Sequence, residues 1–430
     1  GAVANAIRED PRQRGLLYAS TDQQVWVSFD DGDHWQSLRL NMPAISVRDI
    51  QLKDDSSCLC ADLIAGTHGR GYWILDDVTP LRQMAAVRSA QQAYLVKPKT
   101  AVRVRFGTND PTPWSPEVPA GENPPPGGII DYYLASDAAG PVTLDVLDGA
   151  GKVVRSYSSA DPVRTPHPAL DPEAYDRLCQ RTPTAAYCGL PMYWPAPPMV
   201  ISTAKGMHRV SWDLRWQPVL PDTSGDGDED AATGAVPHRT YPPAMAPWAP
   251  PGTYTVRLTV GGKSFTQPLT LRLDPRVKTP AAGLARLASL SRSAYDAAVA
   301  TQAAYAKARA LAAALDSVHG ADADAFKARL DSLAPAAGAK VAPRRRGAPT
   351  PAPTLPSARD ALIAAAMAMQ GADVTPTAAE EAAVTKARTD ANAVTARWTT
   401  LRTSGLAALN AKRKAAGLPA LVVPGGDGGR

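Results

Sequence analysis

The sequence predicts a mainly β protein with an α tail: the end of a β-propeller, then an antiparallel β-sandwich, then a helical hairpin. Three observations carry that prediction. The first 83 residues repeat at an offset of 46. Hydrophobic residues alternate with period two at Val142, Leu144 and Val146 and again at Tyr254, Val256 and Leu258. From Pro280 the composition turns abruptly to Ala, Leu, Lys and Arg.

The repeat lays "LYASTDQQVWVSFDDG", from Leu17, over "LIAGTHGRGYWILDDV", from Leu63. Ala19 falls on Ala65, Thr21 on Thr67, Trp26 on Tyr72, and Asp30 and Asp31 fall on Asp76 and Asp77. Each copy follows a further strand-like run, "VANAIRED" and "VRDIQLKD". A period of forty-odd residues with about four short strands per unit is the signature of propeller blades. Two neighbouring four-stranded units are therefore expected, with Asp30 and Asp76 in equivalent positions and no helix in 15–35 or 61–78.

Within the first copy, Ser28, Asp30, Gly32 and Trp35 stand at the spacing S-x-D-x-G-x-x-W. This is turn chemistry. Asp bonds backbone N–H groups just ahead of it, Gly takes a positive φ, and Trp covers the turn with apolar area. The second copy has Ile74 and Val78 in place of the Ser and the Gly, so its turn is degenerate. The four residues resemble the Asp-box, the bacterial-neuraminidase repeat of sialidases, two-propeller endoglucanases and sortilin-type (Vps10-like) receptors. The run "GTHGRGYWILDDVTPLRQ" resembles the final blade of large secreted bacterial proteins with sortilin-like propellers, often labelled glycosyl hydrolases. Two blades do not close a ring, so the resemblance implies upstream blades of the same protein as partners, and a C-terminal portion of a longer chain.

Residues 84–276 read as a second β region. Val142, Leu144 and Val146 alternate, as do Tyr254, Val256 and Leu258, and "DGAGK" and "VGGKS" are hairpin turns by composition. The order of strands resembles an Ig-like or fibronectin-like module. Two Pro-crowded insertions, 159–205 and 217–250, are expected as surface excursions, because proline does not serve inside a central strand. Their Tyr187, Tyr193, Trp194, Tyr241 and Trp248 either line a carbohydrate platform or pin the loops to their own domain.

Residues 277–424 read as an Ala-rich helical hairpin, with helices at 281–318 and 377–415 and a disordered Pro-rich linker near 335–357. Val384, Ala387, Ala391, Val394, Trp398, Leu401 and Leu409 share one face. Leu284, Leu287, Leu290, Tyr295 and Val299 would form the partner face. Lys and Arg outnumber Asp and Glu in this tail, but no aromatic residues interleave with them as nucleic-acid binding would want, so solvated charge is expected. No run reaches the length of about 18 apolar residues that spans a bilayer.

Cys179 and Cys188 bracket a short loop and are a candidate disulfide, whereas Cys58 and Cys60 are expected as two small thiols. "DTSGDGDEDAAT", from Asp222, follows a calcium-loop spacing but has Thr233 where the bidentate Glu would stand, so no metal site and no cofactor is assigned. Alternating blade turns put "THGRG" (67–71) on the face opposite the Asp-box. On the resemblance that is the ligand face, so His68 and Arg70 are the candidate ligand-binding residues, Arg for its fork of donors toward a carboxylate or phosphate. No catalytic residue is identified. The resemblance implies a secreted or periplasmic protein whose propeller binds a peptide or glycan. The alternative is a glycoside hydrolase, sialidase-like or endoglucanase-like, with its catalytic residues in upstream blades.

Overall fold

The computed structural model describes residues 2–55, 60–105, 127–161, 200–220, 245–337 and 351–423. The fold is mixed, with β-sheets followed by a long C-terminal helical region. The chain forms two compact units. One holds the β-sheets and the short helix at Met84–Ser89; the other holds the helices from Ala281 onward together with residues 216–220 and 245–249.

Four strands open the first unit as an antiparallel meander: β1 (Ala4–Glu9), β2 (Leu17–Thr21), β3 (Val25–Ser28) and β4 (Gln36–Ser37). A second meander follows: β5 (Val47–Asp55), β6 (Cys60–Thr67) and β7 (Tyr72–Leu75). The second sheet thus has three strands where the repeat predicts four. After Leu75 the chain passes through Asp76–Pro80 into a 3-10 turn at Leu81–Gln83 and a short helix, α1 (Met84–Ser89). The repeat is otherwise real in the backbone. Asp31 and Asp77 both adopt positive φ, 58° and 60°, at the same point of each copy.

Strand register corrects one pairing of the repeat. Ala19 stands opposite Trp26, and its counterpart Ala65 stands opposite Trp73 rather than Tyr72. The tip of the second hairpin is one residue longer, and the turn after β7 is one residue shorter. Because side chains alternate faces, that single residue turns Trp73 inward and Tyr72 outward.

The two sheets stack through unlike faces. The row Ile7–Ala19–Trp26 in the first sheet recurs as Ile50–Ala65–Trp73 in the second. Tyr18, Val25 and Val27, on the opposite face of the first sheet, share one core with Ile50, Leu63 and Ala65, and Trp73 packs on it. A second tie is polar. Asp10, fully buried as a side chain, accepts from Arg82 Nε at 3.0 Å, while Arg82 Nη2 reaches Asp54 at 2.6 Å and Tyr18 donates to Asp10 at 3.4 Å. Burial pushes the Asp54 carboxyl up, yet the hydrogen bonds from Arg12 and Arg82 hold it below its ordinary range.

The rest of the first unit is two further sheets. β8 (Ala93–Leu95), β10 (Gly128–Leu134) and β13 (Gly206–Trp212) form one, in the order β13–β10–β8. β9 (Ala101–Arg103), β11 (Val142–Leu147), β12 (Val153–Ser158), β14 (Gly252–Val260) and β15 (Lys263–Leu273) form the other, in the order β12–β11–β14–β15–β9. Pairing is antiparallel except between β15 and β9. The predicted alternation holds: Val142, Leu144, Val146, Tyr254, Val256 and Leu258 all face inward. Both predicted hairpins form, the tighter one at Gly261 and Gly262, which take positive φ as a two-residue turn requires. Trp212 of one sheet meets Tyr254 of the other edge to face at 5.1 Å.

The helical unit is larger than the predicted hairpin. Its helices are α2 (Ala281–Leu315), α3 (Ala321–Leu333), α4 (Leu355–Ala368), α5 (Ala378–Thr400) and α6 (Leu406–Ala415), with a π-turn at Leu401–Gly405 joining the last two. α4 starts inside the segment expected to be disordered, because Thr354 and Ser357 form a capping box there. α4 packs against both α2 and α5. The predicted face of Val384, Ala387, Ala391, Val394, Trp398, Leu401 and Leu409 is buried throughout, but Val299 is exposed. Ala294, Ala298, Ala308 and Ala312 are almost fully buried on α2, where their small size lets neighbouring helices approach closely. The ends of the second insertion are not surface excursions. Val219 packs on the helical core, and Trp248 donates its backbone N–H to Gln370 at 2.9 Å.

Thr377 caps α5, and Glu380 closes the box by accepting from the Thr377 N–H at 2.7 Å. Thr377→Ala is expected to destabilise the helical unit by about 1 kcal/mol, read as a shift in its urea unfolding midpoint.

Candidate functional site

The tip of the β6–β7 hairpin is built by backbone geometry. Thr67 donates to the Gly71 carbonyl twice, from its N–H at 3.1 Å and from Oγ1 at 2.7 Å. Thr21 does the same to Gln24 in the first sheet, at 2.9 and 3.0 Å. Gly69 and Gly71 both take positive φ, 88° and 66°, which a side chain would strain. The His68 N–H donates to the Ser46 carbonyl at 2.9 Å and moors the tip to the start of β5. His68 and Arg70 are exposed on this frame, and neither side chain has an ion pair or hydrogen bond among the described residues. The tip therefore brings together two polar side chains and the exposed ring of Tyr72, which lies over Gly66. Sequence reasoning missed Tyr72 because the ungapped offset paired it with Trp26.

The S-x-D-x-G-x-x-W turn sits at the opposite end of β3 from that sheet's tip. Ser28 Oγ donates to Asp30 Oδ1 at 2.8 Å and accepts from the Gly32 N–H at 3.0 Å. Asp30 also accepts from the His34 N–H at 2.9 Å, and its other oxygen lies 2.7 Å from His34 Nδ1. These bonds, the His34 backbone first, bring the Asp30 carboxyl down to about 2. Gly32 takes φ 100°, and the Trp35 ring covers it. The Ser28 hydroxyl and the Asp30 carboxylate are thus bonded inside the turn. It is scaffold.

Asp76 and Asp77 have a further role that the sequence did not signal. Arg209 on β13 pairs with Asp131 through two bonds, 2.9 and 3.2 Å. It then donates to the carbonyls of Asp76 at 2.8 Å and Asp77 at 3.3 Å. Asp62 accepts the Asp77 N–H at 3.0 Å and lies 3.7 Å from Lys99. Burial pushes the Asp131 carboxyl up, although Arg209 pulls against it, and burial likewise raises Asp76 beside Asp62. One arginine therefore fixes where the chain leaves β7.

Cys60, at the start of β6, is disulfide-bonded, contrary to the expected thiol. Its partner, the candidate pair Cys179 and Cys188, the loop from Asp222 to Thr233, and Tyr187, Tyr193, Trp194 and Tyr241 lie outside the described residues. Among the described residues no group of acidic, His or Cys side chains is arranged to hold a metal ion. No helix among them is long and apolar enough to cross a membrane. No family model, no curated protein and no solved structure matches the chain. The fold and the tip define the class only coarsely: a mixed β and α protein that presents an exposed polar and aromatic hairpin tip.

Proposed function

We propose that residues 1–83 are the last two blades of an Asp-box propeller, with residues 84–276 as an Ig-like or fibronectin-like sandwich. The protein is secreted or periplasmic, and its propeller binds a peptide or glycan at the end that carries His68 and Arg70. The observation that carries this reading is the stacking through unlike faces. Each sheet offers one face to the sheet before it and a different one to the sheet after it, an arrangement that builds rings or open stacks rather than closed pairs. Ile7 at one end of the pair, and Tyr72 and Ile74 at the other, remain exposed for further blades. The disulfide at Cys60 suits an oxidising compartment. The alternative is a glycoside hydrolase with its catalytic residues mostly in upstream blades; within this chain Asp10, Asp54 and Asp131 are each held by arginine.

The test is binding of the chain to a panel of acidic peptides and sialylated oligosaccharides, with Arg70→Ala as the variant. A charged hydrogen-bonding partner lost from the tip should weaken an acidic ligand by about tenfold. Arg70 is exposed and its side chain makes no ion pair or hydrogen bond among the described residues, so stability should change little. Turnover of sialosides or β-glucans that disappears with Arg70→Ala would establish the enzyme instead.

A further inference from the structure

The first sheet shows what the second one lacks. In β3 the hydrogen bond from Thr21 N–H to Gln24 sets the ladder, so Ala19–Trp26 and Leu17–Ser28 are the hydrogen-bonded pairs with β2. The N–H and C=O groups of Val25 and Val27 then point the other way, and β4 meets them: the Leu38 N–H donates to Val25 at 2.9 Å, and Gln36 stands opposite Val27. In the second sheet the bond from Thr67 N–H to Gly71 sets the same ladder. Ala65–Trp73 and Leu63–Leu75 are its hydrogen-bonded pairs, which leaves the backbone groups of Tyr72 and Ile74 aimed outward. Tyr72 and Ile74 are the register equivalents of Val25 and Val27, yet no strand pairs with them among the described residues.

Among the described residues, the chain does not fill this edge itself. Arg209 holds the carbonyls of Asp76 and Asp77, and the Val78 N–H donates to Ala61 at 2.7 Å, so the chain turns away at the point where a fourth strand would begin. An apolar edge strand left open in this way is a template for an incoming strand.

We propose that β7 accepts an extended peptide segment of another polypeptide as the fourth strand of its sheet, antiparallel, in the register that β4 takes on β3. The segment presents N–H groups at alternate positions to Tyr72 and Ile74. Its C-terminal end runs toward the hairpin tip, where an acidic residue meets Arg70. The proposal rests on the ligand-binding reading for its peptide chemistry.

The probe is a fluorescein-labelled heptapeptide with the sequence of residues 34–40, carrying Arg39→Glu so that its acid faces the tip, read by anisotropy on the 430-residue chain. In that register only alternate N–H groups reach β7. A probe with Gln36→Pro is expected to bind about tenfold more weakly, and one with Ser37→Pro to bind unchanged. In the protein, Ile74→Pro removes an outward donor without touching the β6 ladder and should abolish binding. If that variant fails to fold, the two proline probes still decide.

Equal affinity of the two proline probes, or no saturable binding below about 1 mM, overturns the proposal. So does a dimer in sedimentation that Ile74→Pro dissociates, since the edge is then filled by a second copy. A longer form of the protein carrying upstream blades that no longer takes up the probe also overturns it, since its own chain then occupies β7. Loss of acidic-ligand binding in Arg70→Ala without any strand binding at β7 leaves the propeller reading standing and sinks this one alone.

Discussion

Trp212→Ala is expected to destabilise the β8–β15 body by about 3 to 5 kcal/mol. The indole is fully buried, lies edge to face on Tyr254 across the two sheets, and donates its N–H to the Arg215 carbonyl at 3.0 Å. Alanine empties the space between the layers and leaves that carbonyl without its donor. The measurement is the urea midpoint of the first unit. Trp212→Phe separates the two losses: it refills much of the volume without the donor, and should recover more than half of the stability. A variant with an unchanged midpoint would mean that the sheets do not rest on this contact.

Arg209→Ala is the second large effect, at about 3 kcal/mol. Removing one member of a buried pair strands the other charge. Asp131 is buried, whereas Arg209 remains one-third exposed, which keeps the expectation at the lower end of that range. Adding Asp131→Asn should restore part of the loss, because a neutral amide costs less to bury. The pH dependence follows from the sign of the shift. Without Arg209 the Asp131 carboxyl rises further, under burial and with Asp77 near it, while Lys99 opposes. A carboxyl raised in the folded state loses stability as pH climbs from its unfolded value to its folded one. The defect should therefore be smaller at about pH 5 than at about pH 8. A defect independent of pH would remove Asp131 from the explanation.

Local chemistry was legible in the sequence where it repeats at short range. Ser28, Asp30, Gly32 and Trp35 form the turn that their spacing predicts, and the two hairpin turns of the β8–β15 body stand where Gly residues mark them. Parity was not legible. An ungapped offset cannot show that one residue was gained at a tip and one lost at the following turn, so Tyr72 was placed as the partner of Trp26 when it faces the other way. The missing fourth strand has the same origin, since nothing local in "DDVTPLRQ" says that Arg209, more than a hundred residues later, will hold its carbonyls. In the helical unit the long apolar face of α5 was clear, whereas α3 and α4 are short and Ala-rich with weak periodicity. The Thr354 capping box was the available signal for α4. The tip site was half legible: His68 and Arg70 were found by residue type, and the aromatic ring beside them was not.

The Asp10–Arg82 bond also bears on how this protein can be cut. Asp10 lies ahead of β2, and Arg82 lies beyond the last strand of the second sheet. A fragment ended at Leu75 or at Pro80 would keep every strand of the two stacked sheets and still lose the cation that neutralises their buried carboxylate. Such a piece would carry Asp10 and the Tyr18 hydroxyl into the dark of the core with no counter-charge. Any piece cut from this end of the chain therefore has to run past the last strand and include Arg82 to keep that pair. Limited proteolysis should leave the 76–83 segment attached to the sheets it closes, with the first stable cuts falling elsewhere.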